Sequence, residues 1–114
     1  MKPVAFDLIR CTDAAAAAKA LAAGDGATKA MGGGQSLGPM LNLRLARPEA
    51  LVDVTALPGL DGFRETATHV EIGAAVTHAR IEDGECPEPI AGMLARVAGG
   101  IAYRAVRNRG TIGG

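Results

Sequence analysis

Two stretches carry residues that could do chemistry. The first is Lys29-Ala30-Met31-Gly32-Gly33-Gly34-Gln35-Ser36-Leu37. Three successive glycines open backbone angles closed to other residues and let a ligand approach the main chain. Their N–H groups can then converge on an anion as a nest. Ser36 could cap the segment that follows, whose helical N-terminus adds partial positive charge. Glycine turn, hydroxyl and helix start together read as a phosphate cradle. The competing reading is a tight strand-to-helix turn that binds nothing. The second stretch, Val106-Arg107-Asn108-Arg109-Gly110-Thr111-Ile112-Gly113-Gly114, is a basic, glycine-rich loop.

Two standard nucleotide motifs can be tested against the first stretch. A P-loop needs Gly, four residues, then Gly-Lys-Ser/Thr. Gly33 and Gly38 have that spacing, but Pro39 stands where the lysine must be. A dinucleotide turn of the G-x-G-x-x-G kind matches Gly32 and Gly34, yet Leu37 takes the third glycine position. Asp53 lies near the distance of a ribose-binding acid. Without that third glycine, a strand-end residue capping a turn is the preferred role.

Other chemistry is poorly supported. His69 and His78 have no partners at metal-ligand spacing, and nothing resembles a nucleophile with its base. Asp61, Glu65, Glu71, Glu82 and Asp83 read as a solvated face, and Tyr103 as a packing residue or a stacking one. Cys11 and Cys86 read as two free thiols in a reducing compartment, with a disulfide the lesser alternative. A net charge of +0 argues against a general nucleic-acid binder. No apolar run reaches the length of a membrane span, and Lys2 and Asp7 flank a segment unlike a signal peptide.

The elements that must position these loops follow from local pattern. With 114 residues there is room for one domain. Aromatics are only 3 % and alanine is abundant, so the core must be built from small side chains. Val4 to Ile9 reads as a strand, Ala14 to Ala23 as a helix capped by Thr12 or Asp13 and stopped by Gly24 and Gly26. Ala27 to Met31 is a second strand, Leu37 to Leu45 a helix ended by Arg47-Pro48, and Ala50 to Val54 a third strand. This β-α-β-α-β alternation implies parallel strands. After Pro58-Gly59, segments 60–65 and 69–74 bracket a hairpin turn, and Thr77 caps a short helical turn. Ile90, Met93, Leu94 and Val97 fall at helical spacing, giving one buried face, closed by Gly99-Gly100. The fold class is α+β: an N-terminal β-α-β-α-β lobe over residues 1–57, then the start of a second α+β lobe with antiparallel strands over 58–114. The sequence stops inside a glycine loop, which reads as a chain cut within that second lobe.

Gly33-Gly34-Gln35-Ser36-Leu37, Pro39, Leu43 to Pro48 and Leu51-Val52-Asp53 resemble the first flavin loop of the molybdenum hydroxylases. Tyr103 to Gly114 resembles the second. The match is to the FAD-binding medium subunits of the carbon-monoxide dehydrogenase and xanthine dehydrogenase type, and runs from about Phe6 to the last residue. Gly32 departs from the family's usual alanine and Gly38 from a larger apolar residue, which should loosen the loop without removing a contact.

The resemblance implies the FAD-binding fold shared with vanillyl-alcohol oxidase, with FAD between two lobes. It assigns cofactor contacts to Gly32, Gly33, Gly34, Gln35, Ser36 and Leu37, and to Thr111, Ile112, Gly113 and Gly114, through main-chain groups of both loops. It implies a cytoplasmic oxidoreductase subunit without catalytic side chains of its own, relaying electrons from iron–sulfur clusters through FAD to an external acceptor. The implied partners are an iron–sulfur subunit and a molybdenum-cofactor subunit. Arg107 and Arg109 would steer the diphosphate or face the iron–sulfur subunit, or else pair with carboxylates. A 114-residue piece alone is expected to be inactive, and the alternative function is a non-catalytic nucleotide-binding or assembly module that holds no flavin.

Overall fold

The computed structural model describes residues 1–114. Three short strands, β1 (Asp7–Arg10), β2 (Thr28–Met31) and β3 (Ala50–Asp53), form a parallel sheet in the order β1-β3-β2. Asp7 and Thr28 both align with Ala50, so β3 is central and paired on both edges. Its side chains alternate between faces, as strand geometry requires. Val52 packs with Ala17 and Leu57 on one face, and Leu51 with Leu41 and Ala46 on the other. The two crossover helices supply Ala17 (α1, Ala14–Ala23) and Leu41 (α2, Leu37–Asn42). Crossovers of one hand that run in opposite directions across a sheet must lie on opposite faces, which is the arrangement these residues show.

Local signals account for most boundaries. Asp13 has an extended backbone, and its carboxylate accepts the Ala16 N–H at 2.7 Å, so it is the cap and Thr12 is not. β1 starts later than Val4, because its pairing with β3 begins at Asp7. α2 ends at Asn42 instead of Leu45. Arg44 turns left-handed at φ 58°, Leu43 and Leu45 stay exposed, and the turn lets Ala46 bury against Leu51.

A two-stranded antiparallel hairpin follows, β4 (Phe63–Glu65) with β5 (Val70–Ile72). Then come α3 (His78–Glu82), α4 (Ala91–Gly99) and α5 (Arg104–Arg107). Thr77 caps α3 from an extended backbone. The third core patch, Val76, Ile81 and Ala98, lies between α3 and α4. The buried face of α4 is Ala91, Leu94 and Ala98, while Met93 and Val97 are exposed. The expected stripe is therefore rotated. Alanines let α4 come close to α3, and the larger Met93 and Val97 fit only outside that contact. Half of the buried hydrophobic residues are alanine, as the composition requires.

The fold is α+β. No helix is long and apolar enough to cross a membrane.

Candidate functional site

The first glycine stretch joins β2 to α2. Its backbone turns at Gly34, φ 70°, a left-handed angle that costs an L-residue about 1–2 kcal/mol. The Gly34 carbonyl then accepts the Gly38 N–H at 2.8 Å, which starts the helix. From Gly32 through Leu37, no main-chain N–H finds an acceptor within the protein. All six residues are at least partly open to solvent. Gln35 folds back so that its side-chain amide donates to the Gly33 carbonyl at 3.1 Å, stiffening the turn.

Ser36 does not cap α2. Its backbone is already helical (φ −98°, ψ −45°), whereas a capping residue must be extended for its hydroxyl to reach back to the next turn's amides. The hydroxyl is left exposed beside the free amides.

The second stretch is built differently. Val106 to Arg107 is not loop but the end of α5, too short to show a helical period in sequence. The loop proper is laced to the segment before α3. The Gly110 carbonyl accepts the His78 N–H at 2.9 Å, Ile112 N–H donates to Val76 O at 2.9 Å, and Gly113 N–H to Ala74 O at 2.8 Å. Gly114 N–H donates to Thr111 O at 3.1 Å, and the Thr111 hydroxyl to Gly114 O at 2.8 Å. Most of its amides are thus already satisfied.

Side-chain ion pairs hold α5 in place. Arg104 grips Asp83 with two bonds of 2.7 Å, and Arg107 grips Glu82 at 2.8 and 3.1 Å. Arg104 also reaches Glu82 at 2.8 Å. These bonds hold both carboxyls below the usual carboxylate range, Glu82 through Arg107 first and Asp83 through Arg104. Glu82 and Asp83 are therefore clamp residues, not a solvated face, and Arg107 pairs with a carboxylate instead of facing a ligand. Glu71 likewise pairs with Arg64 at 2.6 Å.

The two loops meet directly. A Cβ added to Gly33 would lie 1.8 Å from the Arg109 carbonyl oxygen. One added to Gly32 would lie 2.2 Å from Gly114 O and 2.6 Å from Thr111 Oγ1. Gly32 therefore does not loosen the loop; it admits the second loop. Between them lies a cleft of about 420 Å³. It is lined by residues 29–37, then Met40, His78, Ile101 and Val106, and by Gly110, Thr111 and Gly114. Ile112 and Gly113 do not line it: Ile112 is exposed and Gly113 packs on Ala74. Met40, His78 and Ile101 lie outside the two stretches read as candidates: Met40 comes with the first turn of α2, and the chain's topology brings His78 and Ile101 to the cleft.

A second depression of about 550 Å³ lies behind Gly32 and Gly33, among Asp53, Asp61, Arg80 and Arg109. It is larger but chemically less suited to an anion, with two carboxylates and none of the amides after Gly33. Asp53 accepts the Thr55 hydroxyl at 2.6 Å and its N–H at 2.9 Å, which pulls the carboxyl below its usual range and confirms the strand-end capping role. The cleft, by contrast, contains no acidic side chain. It combines a row of free N–H donors with apolar walls at Met31, Leu37, Met40, Ile101 and Val106. That pairing suits a ligand with an anionic segment and a flat apolar part. No three metal-ligating side chains converge anywhere, and both cysteines are free.

Residues 4–114 match the family described as the FAD-binding domain in molybdopterin dehydrogenase. The chain belongs to this family. It is 40 % identical over its whole length to 6-hydroxypseudooxynicotine dehydrogenase complex subunit alpha of Paenarthrobacter nicotinovorans, spanning 38 % of that protein. Carbon-monoxide dehydrogenase from Hydrogenophaga pseudoflava superposes over the whole chain with a TM-score of 0.90 at 37 % identity, covering 40 % of the matched chain. Quinoline 2-oxidoreductase from Pseudomonas putida 86 does so over 99 % of the chain, with a TM-score of 0.88 at 34 % identity, covering 39 % of its counterpart. The chain thus spans about two fifths of the length of these relatives. The family's cofactor is FAD, and the residues present fit it. The amide row and the absence of a Cβ at its turn make a cradle for a diphosphate, and the apolar walls accept a ring.

Proposed function

We propose that the chain is the flavin-cradling part of a molybdenum-hydroxylase medium subunit, which relays electrons from iron–sulfur clusters through FAD to an external acceptor. Its partners are then an iron–sulfur subunit and a molybdenum-cofactor subunit, in the cytoplasm. The chain divides near residue 57 into the lobe that carries the first loop and the lobe that carries the second. FAD, when bound, supplies reversible electron uptake; the protein's residues supply placement. Gly32 to Leu37 offer their N–H groups to the diphosphate, with Ser36 adding a hydroxyl and Gln35 stiffening the turn. Thr111 and Gly114 close the opposite wall, while Ile112 and Gly113 anchor that wall to residues 74–76.

The observation that carries this reading is the run of unpaired amides facing an acid-free cleft. FAD retention in variants tests it. Gly34→Val should abolish binding, because a branched residue cannot hold φ 70° without strain. Ser36→Ala should lose about 1.5–3 kcal/mol if its hydroxyl meets a charged oxygen. Gln35→Ala should be milder. Retention of flavin by Gly34→Val with loss in Gln35→Ala would replace main-chain recognition by side-chain recognition. No flavin binding by the unaltered protein, reconstituted with its partners, would leave the nucleotide-binding or assembly module.

A further inference from the structure

We infer that His78 is a cofactor-binding residue, held in the Nε2–H tautomer so that it donates a hydrogen bond into the cleft toward the ligand's diphosphate. The inference rests on the flavoprotein reading. Three observations meet at this ring. His78 lines the same cleft as the first loop. Its Nδ1 is buried and has no hydrogen-bond partner. Gly110 seals that side: a Cβ there would lie 3.0 Å from Nδ1 and 3.5 Å from Cε1.

A proton on Nδ1 would be a buried donor without an acceptor, whereas a buried lone pair is more readily tolerated. The neutral ring therefore carries its proton on Nε2. That nitrogen has no partner in the protein and is not among the buried unpartnered atoms, on a side chain that lines the cleft. The backbone that carries the ring is fixed: the His78 main-chain N–H donates to Gly110 O at 2.9 Å, and Thr77, just before it, caps α3, while Gly110 packs against the Nδ1 edge. His78 thus binds the second loop through its main chain and lines the cleft that this loop shares with the first. On residues 32–37 it shares the cleft with main-chain N–H groups that have no acceptor in the protein, and no Asp or Glu side chain lines the cleft to accept its proton. An anionic diphosphate is the chemistry that all these donors suit together.

The test uses the protein with histidine nitrogens labelled by ¹⁵N, titrated separately with FAD and with ADP, which has the diphosphate but no flavin. In the free protein, the ¹⁵N shifts should report an unprotonated Nδ1 and a protonated Nε2 for His78. Either ligand should then move the Nε2 resonance. His78→Phe, which keeps a ring without a donor, should weaken binding of both by about tenfold or more. His78→Gln, which keeps a donor, should recover part of the loss. An Nδ1–H tautomer in the wild type, or unchanged affinity in His78→Phe, overturns the inference. Binding of ADP with a His78 response but without FAD binding would uphold the role of His78 and overturn the flavin reading. Binding of neither ligand would overturn both.

Discussion

Gly33→Ala is the sharpest probe of how the site is assembled, since it adds one methyl group where the two loops touch. The new Cβ would stand 1.8 Å from the Arg109 carbonyl oxygen, and ordinary contact begins near 3.4 Å. The second loop would have to retreat by about 1.5 Å, an overpacking change that typically costs about 1–3 kcal/mol. The loop cannot retreat freely. It is tied by His78 N–H to Gly110 O and by Gly113 N–H to Ala74 O, each bond worth about 1 kcal/mol. The cost should therefore fall at the upper end, about 3 kcal/mol, or roughly 12 °C in melting temperature. Two sibling variants calibrate the result. Gly34→Ala meets no backbone but must hold φ 70°, at about 1–2 kcal/mol. Gly38→Ala enters open space in a helix and should stabilise by about 0.5–1 kcal/mol. Thermal and urea unfolding give the order, and FAD titration of the same variants should follow it for Gly33 and Gly34. If Gly33→Ala melts with Gly38→Ala, the loops do not touch as described and their shared cleft has another origin.

Two further outcomes follow from the packing around the second loop. Glu82 and Asp83 have folded-state pKa values below their ordinary ones, so the stability they lend is full above the usual carboxylate range and is lost as pH falls through the lowered values. Glu82→Gln should flatten the acid limb of the stability–pH curve below about pH 4, measured by urea melts at stepped pH, and an unchanged limb would refute the clamp. On α4, Met93→Lys and Val97→Lys should leave stability within about 0.5 kcal/mol of wild type, whereas Ala98→Leu should lose about 1–3 kcal/mol by forcing α4 off α3.

Where local chemistry decides the structure, the sequence was readable. Asp13, the alanine run and Gly24 delimit α1 at the residues expected, and Thr77 caps α3. The parallel sheet followed from alternation alone, and the hairpin from its turn residues. Where tertiary packing decides, it was not. The face of α4 is set by how closely α3 approaches, which the spacing of Met93 and Val97 does not encode. Ser36 has a capping residue's side chain in a helical residue's backbone, and only the path of the loop makes it so. Arg104 and Arg107 meet Glu82 and Asp83 across a helix pair that no local pattern places together. The meeting of the two glycine loops was legible only through the family resemblance, since nothing in either loop names the other. Their unequal roles, one with free amides and one with amides already bonded, belong to the structure alone.

The contact between Gly33 and the Arg109 carbonyl also fixes an order of events during synthesis. The first loop lies between neighbours in sequence, β2 and α2, and can take shape once those have left the ribosome. The wall it needs is made much later, after the hairpin and α3 to α5. Closing so long a stretch of chain is entropically demanding and slow compared with forming a local turn. Until it closes, the nascent chain presents a row of bare amides with nothing to hold their arrangement. The cleft between the loops is therefore complete only once residues 109–114 have docked against the first loop.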